Sequence, residues 1–156
     1  MAIVDNNLIL SGSITAAGVI SYQTPATTGS TLSTNTVDLG IARDIGEGFD
    51  QYLRVLVGTA FAGGTSTEFQ IIVADDAALT SNVTVIGSTG AIPTASLTAG
   101  ARFAAELNPR IASKGQRYLG ARMVVVGTNT GGTAFIDLGM EIQDGQKFYA
   151  SGFAIK

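Results

Sequence analysis

From Gln116 to Gln143 apolar and polar residues alternate with few breaks. Ala134, Ile136, Leu138, Met140 and Ile142 are interleaved with Phe135, Asp137, Gly139 and Glu141. Period two is the strand period, so one face carries an aliphatic row and the other carries two carboxylates. Upstream, Leu119, Ala121, Met123 and Val125 form a matching row, with Tyr118, Arg122, Val124 and Val126 opposite. Between the rows, Gly127–Gly132 holds three glycines and an asparagine, residues that tolerate positive φ. The expectation is a hairpin of two long strands at the centre of a sheet. Burying one aliphatic side chain contributes about 1.5–3 kcal/mol, so four or five in a row can anchor a fold. Arg122 can lie across the ladder from Asp137 or Glu141, although the sequence leaves the register open. An exposed pair of this kind adds only about 0–1 kcal/mol.

The same period recurs elsewhere. Thr36–Gly40 reads as a strand, followed by turn-rich Ile41–Asp50. Gln51–Phe61 reads as a strand apolar on both faces near its middle, and Thr67–Ala74 as its partner across a hairpin-length turn at Ala62–Ser66. Asp75–Ser81 reads as a short helix capped by an Asp. Asn82–Ser88 and Ala101–Leu107 read as strands, with Ala91–Gly100 between them as a loop with a helical turn. Asn108–Lys114 reads as a basic loop. Lys147–Ile155 is aromatic-rich and reads as a last short strand or docking tail. Residues 1–34 are the most irregular. Leu8-Ile9-Leu10 and Gly18–Tyr22 are short apolar runs, and Thr24–Thr34 is a low-complexity Thr/Ser stretch that reads as a flexible loop or arm. The expected organisation is an irregular N-terminal arm over 1–34 and a single domain over 35–156. Short strands, turn signals at intervals of about ten residues and no long amphipathic helix point to an all-β fold. We expect an antiparallel β-sandwich, jelly-roll-like, of about eight strands.

Composition narrows the chemistry. Only 13% of the 156 residues are charged, against about 25% in an ordinary soluble domain. A surface of Thr, Ser, Asn, Gly and Ala is easily covered by another protein, because few charges need desolvating. The net charge of −3 recruits no phosphate backbone, so no nucleic-acid partner is expected. No cysteine and no histidine occur. A Ser-His-Asp or Cys-His triad is therefore impossible, and the commonest metal ligands are missing. The start, Met1–Asp5, lacks the basic and apolar regions of a secretory signal, and no apolar run approaches the ~20 residues that span a bilayer. No membrane partner is expected. The acidic groups Asp44, Glu47 and Asp50, and Asp75 with Asp76, do not match calcium-loop spacing, and read as solvated. No metal, no cofactor and no catalytic residue is expected.

The candidate contact residues are therefore apolar, aromatic or basic groups near the termini and loops. They are Leu8, Ile9 and Tyr22 in the first segment, Arg110 and Lys114 in the basic loop with Arg117 beside them, and Phe148, Tyr149 and Phe153 in the tail. The tail aromatics read as core closure or as a subunit contact. The basic cluster reads as a solvated loop or a site for an acidic partner surface.

Several stretches carry a resemblance, in order from about residue 33 to the end. They are Ser33–Gly48 (STNTVDLGIARDIGEG), Phe61–Ser66 (FAGGTS), Ala91–Phe103 (AIPTASLTAGARF), Arg117–Gly120 (RYLG), the Gly127–Thr128 turn and Tyr149–Phe153 (YASGF). The ordered set resembles the small cement, or decoration, proteins on the heads of certain tailed bacteriophages. The first 32 residues are longer and more Thr-rich than in that family. The resemblance implies a jelly-roll subunit that forms homotrimers on the outer capsid surface and binds the major capsid protein where capsomers meet. It implies no catalysis, and a location in the virion after synthesis in the host cytoplasm. A phage tail or fibre component and a carbohydrate-binding β-sandwich module are the alternatives. The absence of Trp platforms weighs against the module.

Overall fold

The computed structural model describes residues 6–40, 51–107 and 115–139. Expectations for 41–50, for the basic loop 108–114 and for the tail 140–156 lie outside the described residues. The rest is almost entirely strand. In chain order these are β1 (Ile9–Ser11), β2 (Ser13–Ile14), β3 (Ile20–Ser21), β4 (Gly29–Leu32), β5 (Val37–Asp38), β6 (Tyr52–Gly63), β7 (Ser66–Ala74), β8 (Thr84–Pro93), β9 (Arg102–Glu106), β10 (Tyr118–Val126) and β11 (Asn129–Gly139). One sheet has the order β1-β11-β6-β9, the other β4-β10-β7-β8, with β5 also on β10. All pairings are antiparallel.

Set aside the small β2–β3 hairpin and count β4 with β5 as one broken edge strand, and eight strands remain. By place in the chain, the first sheet runs first-eighth-third-sixth and the second runs second-seventh-fourth-fifth. That interleaving is the double Greek key of a jelly roll. The expected sandwich is therefore the observed fold.

The two expected hairpins are not hairpins. β6 and β7 follow each other in sequence but lie in opposite sheets, and so do β10 and β11. Each strand instead pairs with one from the other couple. β7 lies along β10 in unbroken register, from Ala74 opposite Tyr118 to Ser66 opposite Val126. β6 lies along β11, with Leu53, Val55 and Arg54 opposite Leu138, Ile136 and Asp137. The alternating rows identified inward faces correctly, but they face each other across the core and do not lie side by side. The turn after β10 is also shorter than expected, because Asn129–Gly132 already belongs to β11.

Glycines make these crossings. Gly63, Gly64 and Gly127 have φ of +68°, +64° and +85°. The two turns touch: Thr65 N–H donates to Val126 O at 2.7 Å. A Cβ on Gly127 would come within 3.0 Å of Gly64 Cα. Neither turn has room for a side chain where they meet.

The core between the sheets contains Leu53, Val55 and Val57 from β6, Phe69, Ile71 and Val73 from β7, Leu119, Ala121 and Met123 from β10, and Ala134, Ile136 and Leu138 from β11. Phe61 meets Phe69 edge-on, with centroids 6.2 Å apart.

The N-terminal segment is not a separate arm over its described part. β1 is an edge strand of the first sheet, and Leu10 is fully buried in the main core. Thr24–Thr34 is not a flexible loop, since Gly29–Leu32 forms β4 against β10. Gln23 ties this segment to both sheets. Its backbone exchanges two 2.9 Å hydrogen bonds with Ala134. Its side-chain amide donates to Leu32 O at 2.7 Å and accepts from Thr34 N at 3.3 Å. Propensity rules missed this, because Pro25 and Gly29 break the Thr-rich run and tertiary pairing decides its state.

Two smaller corrections concern local elements. Asp75–Ser81 is a turn, not a helix, with Leu79 at φ +58°. β8 runs on through Ala91 to Pro93, where a loop was expected, and only Thr94–Ser96 forms a helical turn.

Because Leu10 fills the core from outside the expected domain, Leu10→Ala should cost about 2–5 kcal/mol of unfolding free energy. In urea denaturation the exposed Val19→Ala should stay within about 0.5 kcal/mol of the parent. Equal effects of the two would contradict the placement of β1.

Candidate interaction surface

Apolar rows used for the core leave chemistry to the outer faces, edges and turns. Among the described residues no group of three or more acidic side chains is placed to hold a metal ion. Asp76 is occupied locally. Its Oδ1 accepts from Thr80 N at 2.8 Å and Ser81 N at 2.7 Å, and its Oδ2 from Thr80 Oγ1 at 2.7 Å. The Ser81 amide and the Thr80 hydroxyl hold its carboxyl below the usual range. Asp75 is exposed beside it. Asp44, Glu47 and Asp50 lie outside the described residues.

The outer face of the second sheet divides in two. At one end the 75–83 turn folds over Ile72 and Ala74 and makes a small second core, with Leu32, Val83, Val85 and Tyr118 at its margin. At the other end a polar chain crosses the strands. Arg122 Nε donates to Gln70 Oε1 at 2.8 Å, Gln70 Nε2 donates to Glu68 Oε1 at 2.8 Å, and Ser88 Oγ donates to the same carboxylate. The Ser88 and Gln70 donors hold Glu68 below the ordinary carboxylate range. Arg122 thus meets Gln70, not an acidic residue of β11.

On the outer face of the first sheet the pairing partner of Asp137 is Arg54. Arg54 Nε donates to Asp137 Oδ1 at 3.1 Å, and Arg54 Nη2 donates to Oδ2. Asp137 was expected on an outer face, solvated or paired. It is on that face and paired, but it is only 4% exposed, with Ile9 opposite it in the ladder. Burial outweighs the arginine and pushes the carboxyl above its usual range. In such a pair desolvation offsets much of the attraction.

Among the described residues, three of the four sheet edges carry features that hinder further strand pairing. The Gln23 amide occupies the free side of β4 at Leu32 and Thr34. β8 carries two register shifts against β7 and ends in Pro93. β9 bears the exposed charges Arg102 and Glu106. Bulges, Pro and charges are the usual means of blocking edge pairing.

Among the described residues, the exposed large apolar groups are Val126 at the end of β10 and two on the β2–β3 hairpin and its base. Thr15 N donates to Val19 O at 2.9 Å, Gly18 N to Thr15 O at 2.8 Å and Val19 N to Thr15 Oγ1 at 3.1 Å, so the tip is preformed. Ser13 and Ser21 hydroxyls meet at 2.7 Å across its stem. Val19 is 61% exposed. At the base the Tyr22 ring lies over Gly58, where a Cβ would sit 2.5 Å from the ring, and Tyr22 is 37% exposed. No charged residue occurs from Asn6 to Val37.

The candidate contact residues divide accordingly. Tyr22 is exposed on this surface. Ile9 is a correction: it is 4% exposed, and its side chain is covered by its own chain. Leu8 is half-buried against the main core. Arg110, Lys114, Phe148, Tyr149 and Phe153 lie outside the described residues. Arg117 is engaged by Asp38 through two 2.7 Å hydrogen bonds and lies 5.2 Å over the Tyr118 ring. The hairpin was not anticipated. Its signal was the symmetric Ser-Ile…Ile-Ser frame of Ser13–Ser21 around Gly18.

A family model described as Bbp16 matches residues 22–137, and the chain belongs to that family. The match starts at Tyr22, so β1 and the β2–β3 hairpin precede it. No curated protein matches the chain. No helix among the described residues is long and apolar enough to cross a membrane.

Arg54→Met should cost about 3–5 kcal/mol in urea denaturation, because it leaves a buried carboxylate unpaired. The double variant Arg54→Met with Asp137→Leu should return to the parent's stability or exceed it. A double variant as unstable as the single would show that the pair is a net gain. Asp38 supplies a pH signature. The Arg117 guanidinium, then the Gly40 amide, hold its carboxyl down at about 2, below the ordinary 3.8. A depressed value favours the folded state above about pH 4, and that contribution is lost as pH falls towards 2. Asp38→Asn should flatten the stability profile over that window, as followed by thermal unfolding against pH.

Proposed function

We propose that the chain is a structural virion subunit, a cement or decoration protein of a tailed-phage head. It binds the outer capsid surface between copies of the major capsid protein and stabilises the shell against internal pressure. The observation that carries this reading is the jelly roll with mostly hindered edges and a charge-free, preformed hairpin exposed on it. The ordered resemblance along the chain supports it. So does a surface with few charges to desolvate on burial.

The mechanism is mechanical. Each subunit bridges neighbouring shell proteins with a modest free energy. As a homotrimer it engages several points at once, and later contacts form at high effective concentration. Packaged nucleic acid pushes outward, and the bridges raise the cost of separating capsomers. Val19 at the tip and Tyr22 at the base are the residues of the described surface best placed for the contact.

Removal of the whole N-terminal segment cannot test this, since it removes β1 and β4 as well. The sharper variant is Val19→Asp, which places a charge on the exposed tip and leaves the core alone. Purified protein should co-sediment with undecorated heads, and Val19→Asp should weaken that binding at least tenfold, about 1.4 kcal/mol, with an unchanged unfolding midpoint. Absence of the parent protein from the heads would overturn the reading. Imaging that places it on the tail would favour a tail or fibre component.

A further inference from the structure

The turn over the second sheet has a backbone that its sequence does not favour. Leu79 lies at φ +58° and Asn82 at φ +50°, the two non-glycine residues with positive φ among the described residues. Asn tolerates this region, whereas a leucine there is strained. Yet Leu79 is 2% exposed. Its side chain occupies a dimple over Gly120, where an added Cβ would collide with Leu79 Cδ1. Leu79 is the one large apolar residue of Asp75–Asn82, and it rests on a separate small core with Ile72 and Ala74.

Few bonds hold the turn closed. Three go to the Asp76 carboxylate, from the Thr80 and Ser81 amides and the Thr80 hydroxyl. Two are backbone bonds, Asp75 N to Ser81 O at 3.0 Å and Leu79 N to Asp76 O at 3.1 Å. At its foot Gln116 Nε2 donates to Asn82 O and to Thr84 Oγ1, but Gln116 Oε1 is buried without a hydrogen-bond partner. The closed state thus contains a strained leucine, and opening relieves that strain. None of the contacts holding it belongs to the core between the sheets.

We propose that Asp75–Val83 is a plug, seated by Leu79 on Gly120, that opens locally and bares the apolar patch of Ile72, Ala74 and Tyr118 while both sheets stay folded. Segments that open below the global unfolding free energy are those with few buried contacts of their own. The plug stands independently of the capsid reading, and neither fails with the other.

Native-state hydrogen exchange on the full chain tests it. The Thr80 and Ser81 amides should exchange at least about a hundredfold faster than the Ile71 and Met123 amides, with little dependence on low urea. Gly120→Ala, which blocks the seat, should speed exchange of the loop amides about tenfold or more and leave those of β6 and β11 unchanged. Leu79→Ala should do the same without touching Ser33, the other neighbour of Gly120, and decides the matter should Gly120→Ala fail to fold. Loop amides that exchange only as slowly as the core in the parent and in Leu79→Ala would overturn the proposal.

Discussion

The two glycine turns that meet at one end of the sandwich set the conditions for everything else. β6 passes into β7 through Gly63-Gly64, and β10 into β11 through Gly127, with Thr65 bonded to Val126 across the contact. At that point each chain leaves one sheet for the other. Consecutive strands therefore face each other across the core, and their hydrogen-bond partners come from the other couple. Side chains at the crossing would push the two turns apart, and with them the β7–β10 and β6–β11 ladders that form the middle of each sheet. Only residues that adopt positive φ without strain and leave the other turn room to approach fit there.

Polar groups then fix what the apolar core leaves free. An aliphatic row specifies a face but not a register, since hydrophobic contacts are non-directional. The Arg54–Asp137 pair, sunk into the outer face of the first sheet, joins β6 to β11 at one point of their ladder. Gln23 does the corresponding work between sheets. Its backbone pairs with Ala134 of one sheet, and its amide completes the free side of β4 in the other. Once these groups are satisfied, most of the described sheet edges hinder further pairing.

This hindrance shapes the functional reading. On the proposed reading, contact with neighbours falls to what projects from the sandwich. In the described chain that projection is the β2–β3 hairpin, charge-free and braced by its own hydrogen bonds, with Tyr22 resting on Gly58 at its base. Preorganisation of this kind lowers the entropic cost of a contact. It also suits a protein whose proposed task is to hold neighbours in place and to do no chemistry.

Period-two alternation determined that the chain is all-β and which residues of β10 and β11 point inward, and composition, with no His and no Cys, excluded His- or Cys-based catalysis. Those properties follow from local geometry and from residue chemistry. Strand partnership was decided only in three dimensions, because Leu53-Val55-Val57 and Phe69-Ile71-Val73 pack equally well beside or across from each other as far as sequence can say. The same limit hid the partner of Asp137, which lies 83 positions away at Arg54. It also hid the strand character of Gly29–Leu32 and the place of Leu10 in the core. Four residues are too few to show a period, Gly is a poor strand former, and the groups that Gly29–Leu32 meets in the folded sandwich make it a strand.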